Sequence, residues 1–159
     1  MSDFPADLTE ILNAQPVGWV RAMKLHFTVA TADEVRCDFE VGPDHLQNYG
    51  IVHGGVHCGV IETLASVGAA MVAVPRGQAV AGLENTTSFI RAVREGTRLQ
   101  AVATPVTRGR KSQVWEGRIV DEENRVVALG RVRLICFDAG EGIAGGETRP
   151  PSRRDAAPG

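Results

Sequence analysis

Residues Gly50 to Val74, GIVHGGVHCGVIETLASVGAAMVAV, form an apolar run of 25 residues that contains a single carboxylate, Glu62. No other feature of the chain constrains its fold as strongly. From Gly54 to Val74 the pattern is helical, and Pro75 and Gly77 close it. Such a helix is about 30 Å long at 1.5 Å per residue. It is apolar on almost every side, so it must be covered on most of them. A membrane would cover it too. The run only just reaches spanning length, carries Glu62, His53 and His57, and has no second span beside it. The expectation is therefore a core helix wrapped by the rest of one domain, without a membrane partner.

The rest of the chain supplies a wrapper made of strands. Ala6 to Gln15 reads as a short helix, giving a helical segment over residues 1–16. After Pro16, VGWVRAMKLHFTVATA alternates loosely and reads as extended. EVRCDFEV alternates cleanly, with Val35, Cys37, Phe39 and Val41 on one face. Beyond the helix lie four β-rich stretches: AVAGLENTTSFIRAV, RLQAVATPVT, QVWEGRIVD and VVALGRVRLICF. The short turns REGT, RGRKS and EENR separate them, which predicts an antiparallel meander. Pro105 marks an edge or a bulge. The main domain spans residues 17–137. From Asp138 to Gly159 the chain is Gly, Pro, Ala and charge, and reads as a disordered tail. The fold class is α+β: a curved antiparallel sheet around one long central helix, with a second copy closing what stays open.

Charge and cysteine content exclude several classes. The net charge is −2, so no global basic field invites nucleic acid. Cys37, Cys58 and Cys136 are odd in number and contain no CxxC pair. They read as reduced core thiols. With the acidic opening MSDFPADLTE, which lacks a basic segment followed by an apolar run, they give a cytoplasmic expectation.

Chemistry concentrates on the helix. Val56, Val60, Leu64, Val67 and Met71 form a core stripe. Another side carries Gly55, Gly59, Glu62, Ser66, Ala69 and Ala73, all small except the acid. Glu62 and Ser66 are one turn apart. Either Glu62 pairs with an arginine of the sheet, or it does chemistry. HGG opens the helix, where free N–H groups and the positive dipole end can stabilise an oxyanion; the alternative is a tight turn only. Gly54 and Glu62 are eight residues apart, about 12 Å along the axis. One carbonyl group does not bridge that gap within one helix. Two antiparallel helices from two subunits would let both groups act together, which predicts a site shared across a dimer.

Other candidates are weaker. His53 and His57 have a possible metal-ligand spacing, but no third ligand stands nearby, so no metal is expected and His53 reads as holding the loop. Cys58 and His57 are adjacent and diverge on a helix. Gln47 and Asn48 precede the helix and supply side-chain amides that either donate to the same carbonyl or bond the local backbone. Arg108, Arg110 and Lys111, with Ser112, form a basic turn, and Arg91 is a further cation; they hold phosphates or are simply solvated.

Together these residues resemble the hotdog-fold acyl-CoA thioesterases. GIVHGGVHCGVIETLAS is similar to that family's HGG(x)6E pattern, closest to the branch holding the phenylacetic-acid-pathway and Arthrobacter-type 4-hydroxybenzoyl-CoA thioesterases. The resemblance covers roughly Gly18 to Phe137. It implies a hotdog fold, dimers or dimers of dimers, and hydrolysis of a small aromatic, aryl-acetyl or medium-chain acyl-CoA. It implies Glu62 as catalytic carboxylate, Gly54 as the oxyanion donor, Gln47 as an assisting amide and Ser66 as a water-positioning hydroxyl. It places Arg91, Arg110, Lys111 and Ser112 at the coenzyme A nucleotide. No cofactor is implied, coenzyme A being part of the substrate. Ala92 stands where relatives often have proline. The alternatives are a non-catalytic acyl-CoA-binding module on the same fold, and a hydratase, whose Asp/His pair is not visible.

Overall fold

In a computed structural model, which describes residues 4–140, the central prediction holds: one antiparallel sheet of six strands curves around one long helix. The elements in chain order are α1 (Thr9–Ala14), α2 (Gly18–Ala22), β1 (His26–Ala30), β2 (Val35–Glu40), α3 (Gly54–Ala73), β3 (Gln78–Phe89), β4 (Arg98–Arg108), β5 (Ser112–Asp121) and β6 (Val126–Asp138). By length and composition α3 is capable of crossing a membrane. Here it lies against β2, β3, β4, β5 and β6.

The alternation in β2 does what the sequence requires, burying Val35, Cys37 and Phe39. On α3, Val56, Val60, Leu64 and Met71 are buried and Val67 is half-buried. The tightest fit lies under the middle of the sheet. Trp115 is fully buried, and its ring lies where a side chain at Gly68 would be. Ile61 similarly fills the space left by Gly117 and Gly130, which face each other across β5 and β6. Gln113 ties the two layers: its amide donates to the Ala69 carbonyl at 3.1 Å and accepts from the Trp115 indole at 3.1 Å. Both ends of this buried amide are thus satisfied.

Three expectations are corrected, and the choice left open at Pro105 is settled. The stretch after Pro16 is not extended throughout. Gly18 has φ +51°, and a short helix follows that lays Trp19 over Gly59 of α3. The last four strands are not one meander. The order is β1-β2-β4-β5-β6-β3, so β3 pairs with β6 while β4 pairs with β2. Strand β3 thereby becomes an edge with one side unpaired among the described residues. Strand β4 is internal, so Pro105 marks a bulge, seen as a register shift between Pro105 and Thr107. Finally, β3 ends at Phe89, and Ile90 and Arg91 both donate to the Val127 carbonyl. The sheet continues to Asp138; residues 141–159 of the expected tail lie outside the described residues.

Candidate active site

The helix start is built by histidine. His53 is the N-cap, and its Nδ1 accepts from the Gly55 N–H at 2.8 Å. As an acceptor, that nitrogen carries no proton, so the ring's proton sits on Nε2. The Val56 N–H goes to the His53 carbonyl at 2.9 Å. The Gly54 N–H is left without a partner among the described residues. A free donor at the positive end of a helix of 20 residues suits a developing oxyanion. The Phe89 ring also lies where a Cβ on Gly54 would be, so a side chain there would have to displace it.

Gln47 sits in the loop before the helix, which Gly50 turns with φ +70°. Its Oε1 accepts from the Tyr49 N–H at 2.7 Å, and its Nε2 donor has no partner among the described residues. Buried His45 anchors this region, accepting from the Gly42 N–H at 2.8 Å and bonding the Met23 carbonyl at 3.0 Å.

Glu62 is half-buried two turns further along. No described arginine or lysine pairs with it, so the sheet-arginine alternative falls. Its partners are neutral. The Asn85 amide donates to Oε2 at 3.1 Å, and the Ser66 hydroxyl to Oε1 at 3.4 Å. Oε1 also lies where a Cβ on Gly82 would be, so β3 admits the carboxylate only because residue 82 is glycine. Asn85 and Gly82 were missed by the sequence. They lie in GLENTTSF, where nothing local distinguishes them from ordinary strand residues.

The histidine pair does not assemble. His53 is exposed at the cap, while His57 is buried, with Nδ1 unpartnered and its ring 6.0 Å from that of Phe89. Burial pushes the His57 pKa down to about 4. Cys58 is only half-buried, and its carbonyl accepts from Asn85.

The basic residues are only partly together. Arg110, Lys111 and Ser112 are exposed in one turn, which buried Gln78 holds by donating to the Arg110 carbonyl at 3.1 Å. Arg108 is drawn off to Asp33 and to the Ala32 carbonyl. Arg91 is exposed beyond the far end of β3. Within one protomer, therefore, Arg91 and the 110–112 turn sit at opposite ends of that strand.

The chain is similar in sequence and in fold to known proteins. Residues 49–128 match the thioesterase superfamily. Rv1847 of Mycobacterium tuberculosis is 41% identical over 117 residues, 72% of this chain and 83% of that protein. Its structure superposes with a TM-score of 0.74, covering 77% of this chain and 98% of the other. The proofreading thioesterase EntH of Cronobacter turicensis is 35% identical over 124 residues, 77% of this chain and 89% of EntH. The structure of thioesterase HI1161 from Haemophilus influenzae has a TM-score of 0.74 at 27% identity, covering 86% and 93% of the two chains.

Proposed function

The chain belongs to the thioesterase superfamily and is a thioester hydrolase; from that premise we propose that it hydrolyses a small acyl-CoA, with an aromatic, aryl-acetyl or medium-chain acyl group, to the free acid and coenzyme A. The observation that carries this reading is the Glu62 carboxylate, held by neutral donors with no cation against it among the described residues, on the same helix as the Gly54 N–H, which has no partner among them.

The two groups are eight residues apart, about 12 Å along the axis. The reading therefore takes them from two subunits. The unpaired edge of β3 supports this, because Leu83, Phe89 and Ile90 along it are exposed apolar residues in need of cover. Two copies joined antiparallel along β3 would also bring Arg91 of one protomer toward the 110–112 turn of its partner. These cations would hold the nucleotide phosphates.

The Gly54 N–H, aided by the Gln47 amide, polarises the thioester carbonyl. Glu62 of the other subunit then acts in one of two ways. As a base it takes a proton from a water whose oxygen bonds the carbonyl carbon. The C–S bond breaks, and the sulfur leaves with the electron pair and is then protonated. As a nucleophile it bonds the carbon itself, expelling the thiolate and leaving an anhydride that water opens. Ser66 orients the water in either case, and His53 keeps the helix start in shape. The reading needs no cofactor or metal, and suits a cytoplasmic enzyme.

The test is thiol release from benzoyl-, hydroxybenzoyl-, phenylacetyl-, hexanoyl- and palmitoyl-CoA by wild type and Glu62→Ala. Turnover by wild type that drops at least about 10²-fold in the variant is expected. Binding of all five without turnover would overturn the reading.

A further inference from the structure

We propose that Asn85, backed by Thr87, is a positioning residue that commits Glu62 to react through Oε1; this rests on the reading of Glu62 as the working carboxylate. The amide has two N–H donors and both are used, one on Glu62 Oε2 at 3.1 Å and one on the Cys58 carbonyl at 3.0 Å. Its oxygen accepts from the Thr87 hydroxyl at 2.7 Å. A half-turn of the amide would aim Oδ1 at two acceptors and lose both bonds, so the surroundings set its orientation.

The consequence falls on the carboxylate. Oε2 is occupied by a donor that also grips the helix backbone one turn earlier. Among the described residues Oε1 has only the Ser66 hydroxyl at 3.4 Å as a donor, and it packs against Gly82 in the place a Cβ would take. That oxygen keeps a lone pair that no short hydrogen bond uses. The pinned Oε2 prevents the side chain from swinging away, a loss of freedom worth a large factor when reacting atoms must align.

A bulge in β3 makes this possible. The register with β6 shifts between Gly82 and Glu84. Before the shift, Gln78, Val80 and Gly82 face the core or Glu62; after it, Asn85 turns toward α3 with Thr87 beside it, and the exposed Phe89 ring lies over Gly54. Leu83 is the extra residue and is exposed. Strict alternation would have turned Asn85 to the outside.

The experiment measures kcat and KM on whichever of the five acyl-CoAs is turned over fastest, for Asn85→Ala, Thr87→Val and Thr87→Ser, with a thermal melt of each. Asn85→Ala is expected to lower kcat by about tenfold to hundredfold with KM little changed. Thr87→Val should lower kcat by less, and Thr87→Ser, which keeps the hydroxyl, should restore it. Unchanged kcat in Asn85→Ala, a loss confined to KM, or Thr87→Ser no better than Thr87→Val would overturn the proposal. Should Asn85→Ala fail to fold, the Thr87 pair still decides. Full activity of Glu62→Ala would instead remove the reading of Glu62 itself, whatever Asn85 does.

Discussion

Helix α3 presents two faces made of similar small residues put to opposite uses. Toward the middle of the sheet, Gly68 makes way for Trp115, and Ile61 fills the space over Gly117 and Gly130. Trp115 and Ile61 are fully buried there, and the Gln113 amide bonds both the Ala69 carbonyl and the Trp115 indole. Toward the edge strand, Gly82 makes way for the Glu62 carboxylate, whose Oε1 is left with one long hydrogen bond. At the helix start the Gly54 N–H is left with none among the described residues. A glycine removes a clash in each case. Against the core it admits carbon, and the result is close packing. Against the edge it admits charge, and the result is unspent hydrogen-bonding capacity. The first face holds the fold, and the proposed function reads the second as kept for a substrate.

If that division is correct, changes on the two faces should separate stability from activity. The largest effect expected is in Glu62→Gln, which keeps the volume and removes the charge: kcat falls at least about 10²-fold, and the melting temperature stays near wild type. A large fall in melting temperature would join the two faces and break the comparison.

The next effect is on stability alone and depends on pH. His57 is buried and its pKa in the fold is lowered to about 4 from an ordinary 6.5. Above about pH 6.5 both folded and unfolded chains hold it neutral. As pH falls toward 4, the unfolded chain binds the proton and the folded one does not, so stability is lost through that window. The loss is on the order of 2–3 kcal/mol. Urea midpoints at pH 7 and pH 4.5 for wild type and His57→Leu measure it, and the variant should show a smaller difference between the two pH values. An equal difference in both would place the acid sensitivity elsewhere.

Gly68→Ala should cost about 1–3 kcal/mol by pushing a methyl group into the Trp115 ring. The variant's kcat at a temperature where it stays folded should remain near wild type. The smallest effect belongs to Ser66→Ala. A 3.4 Å hydrogen bond to Glu62 is weak, so a few-fold loss in kcat with no change in melting temperature sharpens the comparison. A loss as large as that of Glu62→Gln would move Ser66 from aiding the carboxylate to sharing its work.

Much of this was legible in one dimension. The buried helix, the alternation of β2, the turns and the closure at Pro75 and Gly77 all follow from local periodicity and local backbone limits. So does the suspicion attached to Glu62, because a lone acid in an apolar run stands out wherever it lies. The free donor at Gly54 was readable because helix starts always leave N–H groups over.

Other features required the chain to meet itself. The order of β3 depends on which edge remains after α3 has crossed the sheet, and no turn sequence encodes that. The short helix around Trp19 exists where its ring finds Gly59, 40 residues away. Asn85 lies 23 residues from Glu62 and faces it only because a bulge shifts the alternation of β3. Sequence by itself determined the long helix, most of the strands, much of the core and the two residues that mark the ends of the candidate site, since those rest on interactions within a few residues. Tertiary structure alone decided what surrounds the carboxylate, because hydrogen bonds and close approach depend on distance in space, and a single bulged residue is enough to change which side chains are there.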